Sequence, residues 1–135
     1  MKKILLDTNI YTALLIGDET VLTVIARAQS VYMSVFVLGE LHAGFRGGNR
    51  EQHNITVLES FLTKPTCETV IAGKETARIF GELKNNLKKA GTPLPINDVW
   101  IAAHTIEVGA TLISYDKHFN QIIGLNRWNR SCPCP

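Results

Sequence analysis

The chain lacks any apolar run long enough to cross a bilayer, which takes roughly 18 residues. Its most apolar stretch, VYMSVFVLG at residues 31–39, is interrupted by Ser34 and closed by Glu40. No secretory leader is expected either, because MKKILLDTN reaches Asp7 after only three apolar residues and offers no cleavage-like site. A soluble, cytoplasmic protein is expected. Cysteine is scarce: Cys67, Cys132 and Cys134 are an odd number, and no cysteine or histidine set has zinc-finger spacing. Neither a disulfide framework nor a zinc finger is expected. Glycine-rich phosphate loops are absent, with no GxGxxG after the first apolar segment and no GxxxxGK[ST] anywhere, which argues against a nucleotide-binding domain. Charge of one sign is not in excess either, since 14 Lys and Arg face 12 Asp and Glu for a net +2. That balance alone does not announce a nucleic-acid binder.

What is present suits one compact domain. A chain of 135 residues with 45% hydrophobic and 19% charged residues has the material for a single core. Residues 1–128 are expected to form it. Residues 129–135 contain SCPCP, whose prolines block regular structure, and are expected to be a flexible tail. Residues 3–6 read as a buried parallel strand ending at Asp7. Asp7 or Thr8 can cap a helix carrying Ile10, Leu14 and Leu15, stopped by Gly17, and Asp18 or Thr20 can start a second through Gln29. A strand at 31–34, a helix at 35–45, a loop at 47–50, a helix at 52–62 and a short strand at 67–71 follow. A charged helix at 74–90 ends at Gly91, and the loop TPLPIN leads to a helix at 98–108 and a strand at 111–114. A weak last strand is expected near 125–128. Strands alternating with helices imply right-handed crossovers and an α/β fold with a parallel sheet covered on both faces.

In such sheets ligands bind outside the carboxyl ends of the strands, so residues directly after strands matter most. The chain has four aspartates, Asp7, Asp18, Asp98 and Asp116. Asp7 and Asp116 follow strands, and Asp98 begins a helix that can start at the same edge. Glu40 sits on the helix after the second strand with no Lys or Arg within four residues, so a helical ion pair is unavailable, and facing the core it would be costly. Several carboxylates stay ionised together only if a cation neutralises them. Hard oxygen donors in that number suit magnesium or manganese rather than zinc. An ion so held activates water and offsets charge on a leaving phosphate oxygen, the chemistry of phosphodiester hydrolysis.

The segments ILLDTN, VFVLGELHAG, INDVWIAAH and SYDKHF, in that order, resemble the four acidic motifs of the PIN-domain ribonucleases, especially the toxin subunits of VapBC toxin–antitoxin modules. The resemblance covers residues 3–125. It implies a three-layer fold with about five parallel strands and a Mg2+ or Mn2+ site formed by Asp7, Glu40, Asp98 and Asp116. It further implies Asn9 and Ser114 as supporting polar residues and a homodimer. The implied activity is an RNA-cleaving endoribonuclease, inhibited by an antitoxin whose C-terminal segment lies over the active-site groove. A catalytically silent module on the same fold is the alternative. A haloacid-dehalogenase-type phosphatase would need an aspartate two residues after Asp7, where Asn9 stands.

Other polar residues read more plainly. Asp18 is a helix start, and His42, His53 and His104 are expected at the surface or its boundary. His118 lies near the candidate site. The basic residues of the 74–90 helix alternate with Glu75 and Glu82 and read as a solvated face. Arg46, Arg50 and Lys117 are the candidates for phosphate contact. Ile10, Tyr11, Leu14 and Leu22 divide between core and a partner groove.

Overall fold

The computed structural model describes residues 2–128, so the tail at 129–135 with Cys132 and Cys134 lies outside the described residues. The order is β1 (Lys3–Leu6), α1 (Thr8–Leu15), α2 (Glu19–Arg27), β2 (Ser30–Ser34), α3 (Val35–Phe45), α4 (Glu51–Leu62), β3 (Cys67–Val70), α5 (Lys74–Ala90), α6 (Ile96–Val108) and β4 (Thr111–Ile113), followed by a 3-10 turn at Lys117–Gln121. No single described helix is long and apolar enough to cross a membrane.

The four strands form one parallel sheet in the order β3-β2-β1-β4. β1 is central, and its Ile4, Leu5 and Leu6 are fully buried, as expected of a strand covered on both faces. In the register, Leu5 faces Tyr32 on one side and Leu112 on the other. The chain leaves β1 toward β2 and β3, then returns to add β4 on the opposite side. The carboxyl ends of β1 and β4 therefore flank the point where strand order reverses, the usual ligand crevice of an open α/β sheet.

The fifth strand expected near 125–128 is reduced to a parallel bridge between Leu112 and Arg127. The amide of Leu112 donates to the Asn126 carbonyl, and that of Trp128 to the Leu112 carbonyl. With β4 only three residues long, there is little ladder to extend.

Two differences bear on the site. α6 starts at Ile96 rather than Asp98, because Pro95, with φ −51°, presets the backbone for a helix and its carbonyl accepts the Asp98 amide. Asp98 therefore sits in the first turn, where the helix dipole favours an acid. His104, expected near the surface, is fully buried. Its Nδ1 lies 2.7 Å from Ser34 Oγ, which also accepts the Phe36 amide and so caps α3. α6 is buried on most of its circumference, with Val99, Ile101, Ala102 and Ala103 inward, so even its polar positions face protein. α5 instead packs one stripe, Thr76, Ile79, Leu83 and Leu87, and keeps its charges in solvent, with Arg78 bridging Glu75 and Glu82. Of the apolar residues on the first two helices, Ile10 and Tyr11 are core, Leu14 is half-buried and Leu22 is exposed.

Two outcomes are expected. Leu5→Ala should cost about 2–5 kcal/mol in urea unfolding, the range for emptying a buried leucine site. Burial, the dominant effect, holds the His104 imidazole below its ordinary value of 6.5 despite Glu107 nearby. The unfolded chain then takes up a proton that the folded chain resists, so this contribution is complete above about pH 6.5 and shrinks as pH falls below it. Comparing unfolding of wild type and His104→Gln from pH 5 to 8 should show that slope only in the wild type.

Candidate active site

Asp7 follows β1 and caps α1, and it is only 5% exposed. Its amide donates to the Ile113 carbonyl, extending the β1–β4 ladder by one rung. Its carboxylate is held at both oxygens: Oδ1 accepts the Thr8 amide at 2.9 Å, and Oδ2 accepts the Ser114 hydroxyl at 2.6 Å. Ser114 Oγ in turn accepts the Asp116 amide at 3.0 Å, and Asp116 Oδ1 accepts the His118 amide at 3.0 Å. One chain of hydrogen bonds thus fixes Asp7, Ser114, Asp116 and the start of the 3-10 turn together.

A second set of bonds closes the same crevice. Asn9 Oδ1 accepts the Tyr115 amide at 3.3 Å, and the Tyr115 hydroxyl donates at 2.7 Å to Asp18, which also caps α2 through the Val21 amide. Asn9 is therefore engaged with backbone across the crevice, and Asp18 does more than begin a helix.

Asp98 reaches this edge from the first turn of α6. Its carboxyl is pushed up to about 6, first by burial and then by the charges of Asp7, Asp116 and Glu40, with His118 relieving it in part. Asp7 is raised as well: burial outweighs the hydrogen bonds from Ser114 and Thr8, and Glu40 and Asp116 add repulsion. Four like charges act on one another at one end of the sheet.

Glu40 does not face the core. It is exposed, and Thr8 Oγ1 donates to its Oε1 at 2.6 Å. Solvent and that hydroxyl meet its oxygens, so the cost of a core-facing carboxylate does not arise; what joins it to the site is its pull on Asp7 and Asp98. Asp98, Asp116 and His118 each bring one donor atom within 4.8 Å of the others, a separation that suits a shared cation. His118, which the sequence places near the site, joins the two aspartates in this group. The available signal was its place two residues after Asp116, in a turn that Asp116 itself caps.

The candidate phosphate contacts lie on surface loops. Arg46 is exposed and 3.6 Å from Glu51, a pair of little energetic weight at such exposure. Arg50 is exposed at the start of α4, and Lys117 is exposed between Asp116 and His118.

A family model for the PIN domain matches residues 4–125. The chain is similar to Ribonuclease VapC2 of Haemophilus influenzae, 31% identical over 134 residues that cover 96% of this chain and 98% of the relative. It is also similar to Ribonuclease VapC2 of Rickettsia felis, 29% identical over 112 residues, 81% of this chain and 82% of the relative. Among solved structures, VapBC2 from Rickettsia felis bound to a promoter DNA fragment superposes with a TM-score of 0.83 at 26% identity, covering 95% of this chain and 98% of that one. VapBC-1 from nontypeable Haemophilus influenzae superposes with a TM-score of 0.83 at 25% identity, covering 96% and 99%. The chain belongs to the PIN-domain family, and within that family the curated relatives it resembles over most of its length are VapC ribonucleases.

The raised Asp98 carboxyl gives a signed prediction. Below about pH 4 both folded and unfolded chains carry the proton, and as pH rises through 6 the folded chain must ionise against burial and like charge. Without divalent cations, Asp98→Asn should therefore melt higher than wild type at pH 7, by about 3–5 °C if roughly 1 kcal/mol is relieved, and no higher near pH 4. Differential scanning calorimetry in chelator checks it.

Proposed function

We propose that this VapC-type protein is a toxin ribonuclease that cleaves RNA with Mg2+ or Mn2+ held by the acids at the carboxyl ends of β1 and β4. The observation that carries the reading is the convergence of buried Asp7 with Asp98 and Asp116, where burial first and then these like charges push Asp98 up to about 6. Like-charged carboxylates are brought together at such cost where a cation is to be held.

The donor set fits a divalent ion, being oxygen-rich and drawn from two rigid elements, α6 and the turn after β4. Asp98 and Asp116 would hold it, with Asp7 and Glu40 completing the negative field. When bound, the ion supplies charge neutralisation and a Lewis acid for a phosphoryl oxygen. Asp7, clamped by Ser114 and Thr8, cannot swing, so it serves as the fixed side of the site. Ser114 and Asn9 keep the two strand-end loops in register. Glu40, exposed and oriented by Thr8, accepts the proton of the attacking water and returns it to solvent. In-line attack by water leaves a 5′-phosphate and a 3′-hydroxyl.

The partners follow the same reading. Arg46, Arg50 and Lys117 would meet RNA phosphates around the crevice. Leu15, Ile16 and Leu22 are 52%, 82% and 44% exposed, and this apolar surface on the first two helices would receive the apolar segment of a VapB-like antitoxin. A cytoplasmic homodimer is the expected assembly.

Purified protein incubated with RNA and Mg2+ or Mn2+ should produce 5′-phosphorylated fragments. Asp7→Asn and Asp98→Asn should fall to background, and Glu40→Gln should lose about 100-fold. A 2′,3′-cyclic phosphate product, or full activity in both aspartate variants, contradicts the mechanism; inactivity of the wild type toward every RNA supports the silent module instead.

A further inference from the structure

Resting on the cation site proposed above, we infer that His118 is a direct nitrogen donor in that site and makes it prefer Mn2+ over Mg2+. The backbone brings the imidazole there. Asp116 Oδ1 accepts the His118 amide, and the Asp116 amide is itself anchored on Ser114 Oγ, so the residue carrying the second carboxylate also fixes where the His118 side chain begins. The ring Nδ1 stands 3.2 Å from Asp116 Oδ1, and a ring nitrogen, an Asp98 oxygen and an Asp116 oxygen lie within 4.8 Å of one another. Donor atoms on one ion with bonds of about 2.1 Å stand at most about 4.2 Å apart, so a small side-chain adjustment brings all three onto it. The His118 side chain is 50% exposed and Asp116 30%, which leaves room for that adjustment and for water in the remaining positions.

Ligand chemistry then sets the preference. Magnesium takes oxygen donors and keeps its waters, whereas imidazole suits transition metals and strengthens binding along the series that begins at Mn2+. A site of carboxylates alone discriminates less between the two ions. His118 acting only as a hydrogen-bond partner that orients Asp116 would affect both ions alike, and that difference is measurable.

The test is titration of wild type, His118→Asn and Asp98→Asn with Mn2+ and with Mg2+ by calorimetry, alongside pulsed electron paramagnetic resonance of the Mn2+-loaded protein. Wild type should show nitrogen coupling to manganese. His118→Asn should lose that coupling and bind Mn2+ roughly tenfold more weakly, with Mg2+ affinity changed less than about twofold. Absence of nitrogen coupling in wild type, or equal losses for the two ions in His118→Asn, overturns the assignment while leaving the acidic site standing. If wild type binds neither ion, or Asp98→Asn binds both as well as wild type does, the site proposed in the preceding subsection fails and this inference falls with it.

Discussion

The arrangement of this protein depends on a carboxylate that the fold buries and cannot release. Asp7 is the last rung of the β1–β4 ladder, the cap of the first helix and the acceptor of the Ser114 hydroxyl, so three structural roles fix it in place. Three more carboxylates are brought up toward it: Asp98 from α6, Asp116 from the turn after β4, and Glu40 from α3. Hydrogen bonds hold the geometry, and they do not remove the repulsion. The folded chain is thus built around an electrostatic strain that a divalent cation would relieve, the usual signature of a site where stability is exchanged for activity.

The same concentration explains an otherwise uninformative net charge. The whole chain carries a formal +2, but with the four clustered carboxylates and their −4 set aside the remaining residues carry +6. A basic body around an acidic crevice is the charge distribution that the proposed RNA substrate and cation would call for, attracting a polyanion at long range and leaving the crevice itself to a cation. On the proposed function, substrate and cation binding would be coupled for that reason, with the exposed Arg46, Arg50 and Lys117 in the attracting part.

Much of the architecture was legible from short-range pattern. The apolar runs of β1, β2 and β4 end at polar residues, and α5 carries its apolar stripe at helical spacing up to Gly91, which adopts φ 71° where other residues are strained. Asp7 and Asp116 could be placed at one edge because topology dictates where the residues after parallel strands go, and Asp98 could join them only if its helix began at that edge. What was not legible depended on contacts far apart in sequence. His104 looks like a surface residue until α6 is seen to be enclosed and Ser34, 70 residues away, reaches its ring. Apolar neighbours leave the side on which Glu40 faces undecided in the sequence, and the fold settles it: its side of α3 is exposed and Thr8 crosses to meet it. Tyr115 and Asp18 give no sequence sign of pairing across 97 residues. The fifth strand shrank to a single bridge because pattern cannot measure how much ladder a three-residue neighbour offers.

The most direct test of the central account is the melting temperature of the purified chain at pH 7 as Mn2+ is added to chelated protein, for wild type and for the Asp7→Asn, Asp98→Asn double variant. If the carboxylates at the ends of β1 and β4 form a strained site relieved by a cation, the wild type should rise by several degrees as the ion saturates, about 2.7 kcal/mol at a concentration 100 times the dissociation constant, and the double variant should not respond. Equal responses of the two proteins, or none in the wild type, would contradict it.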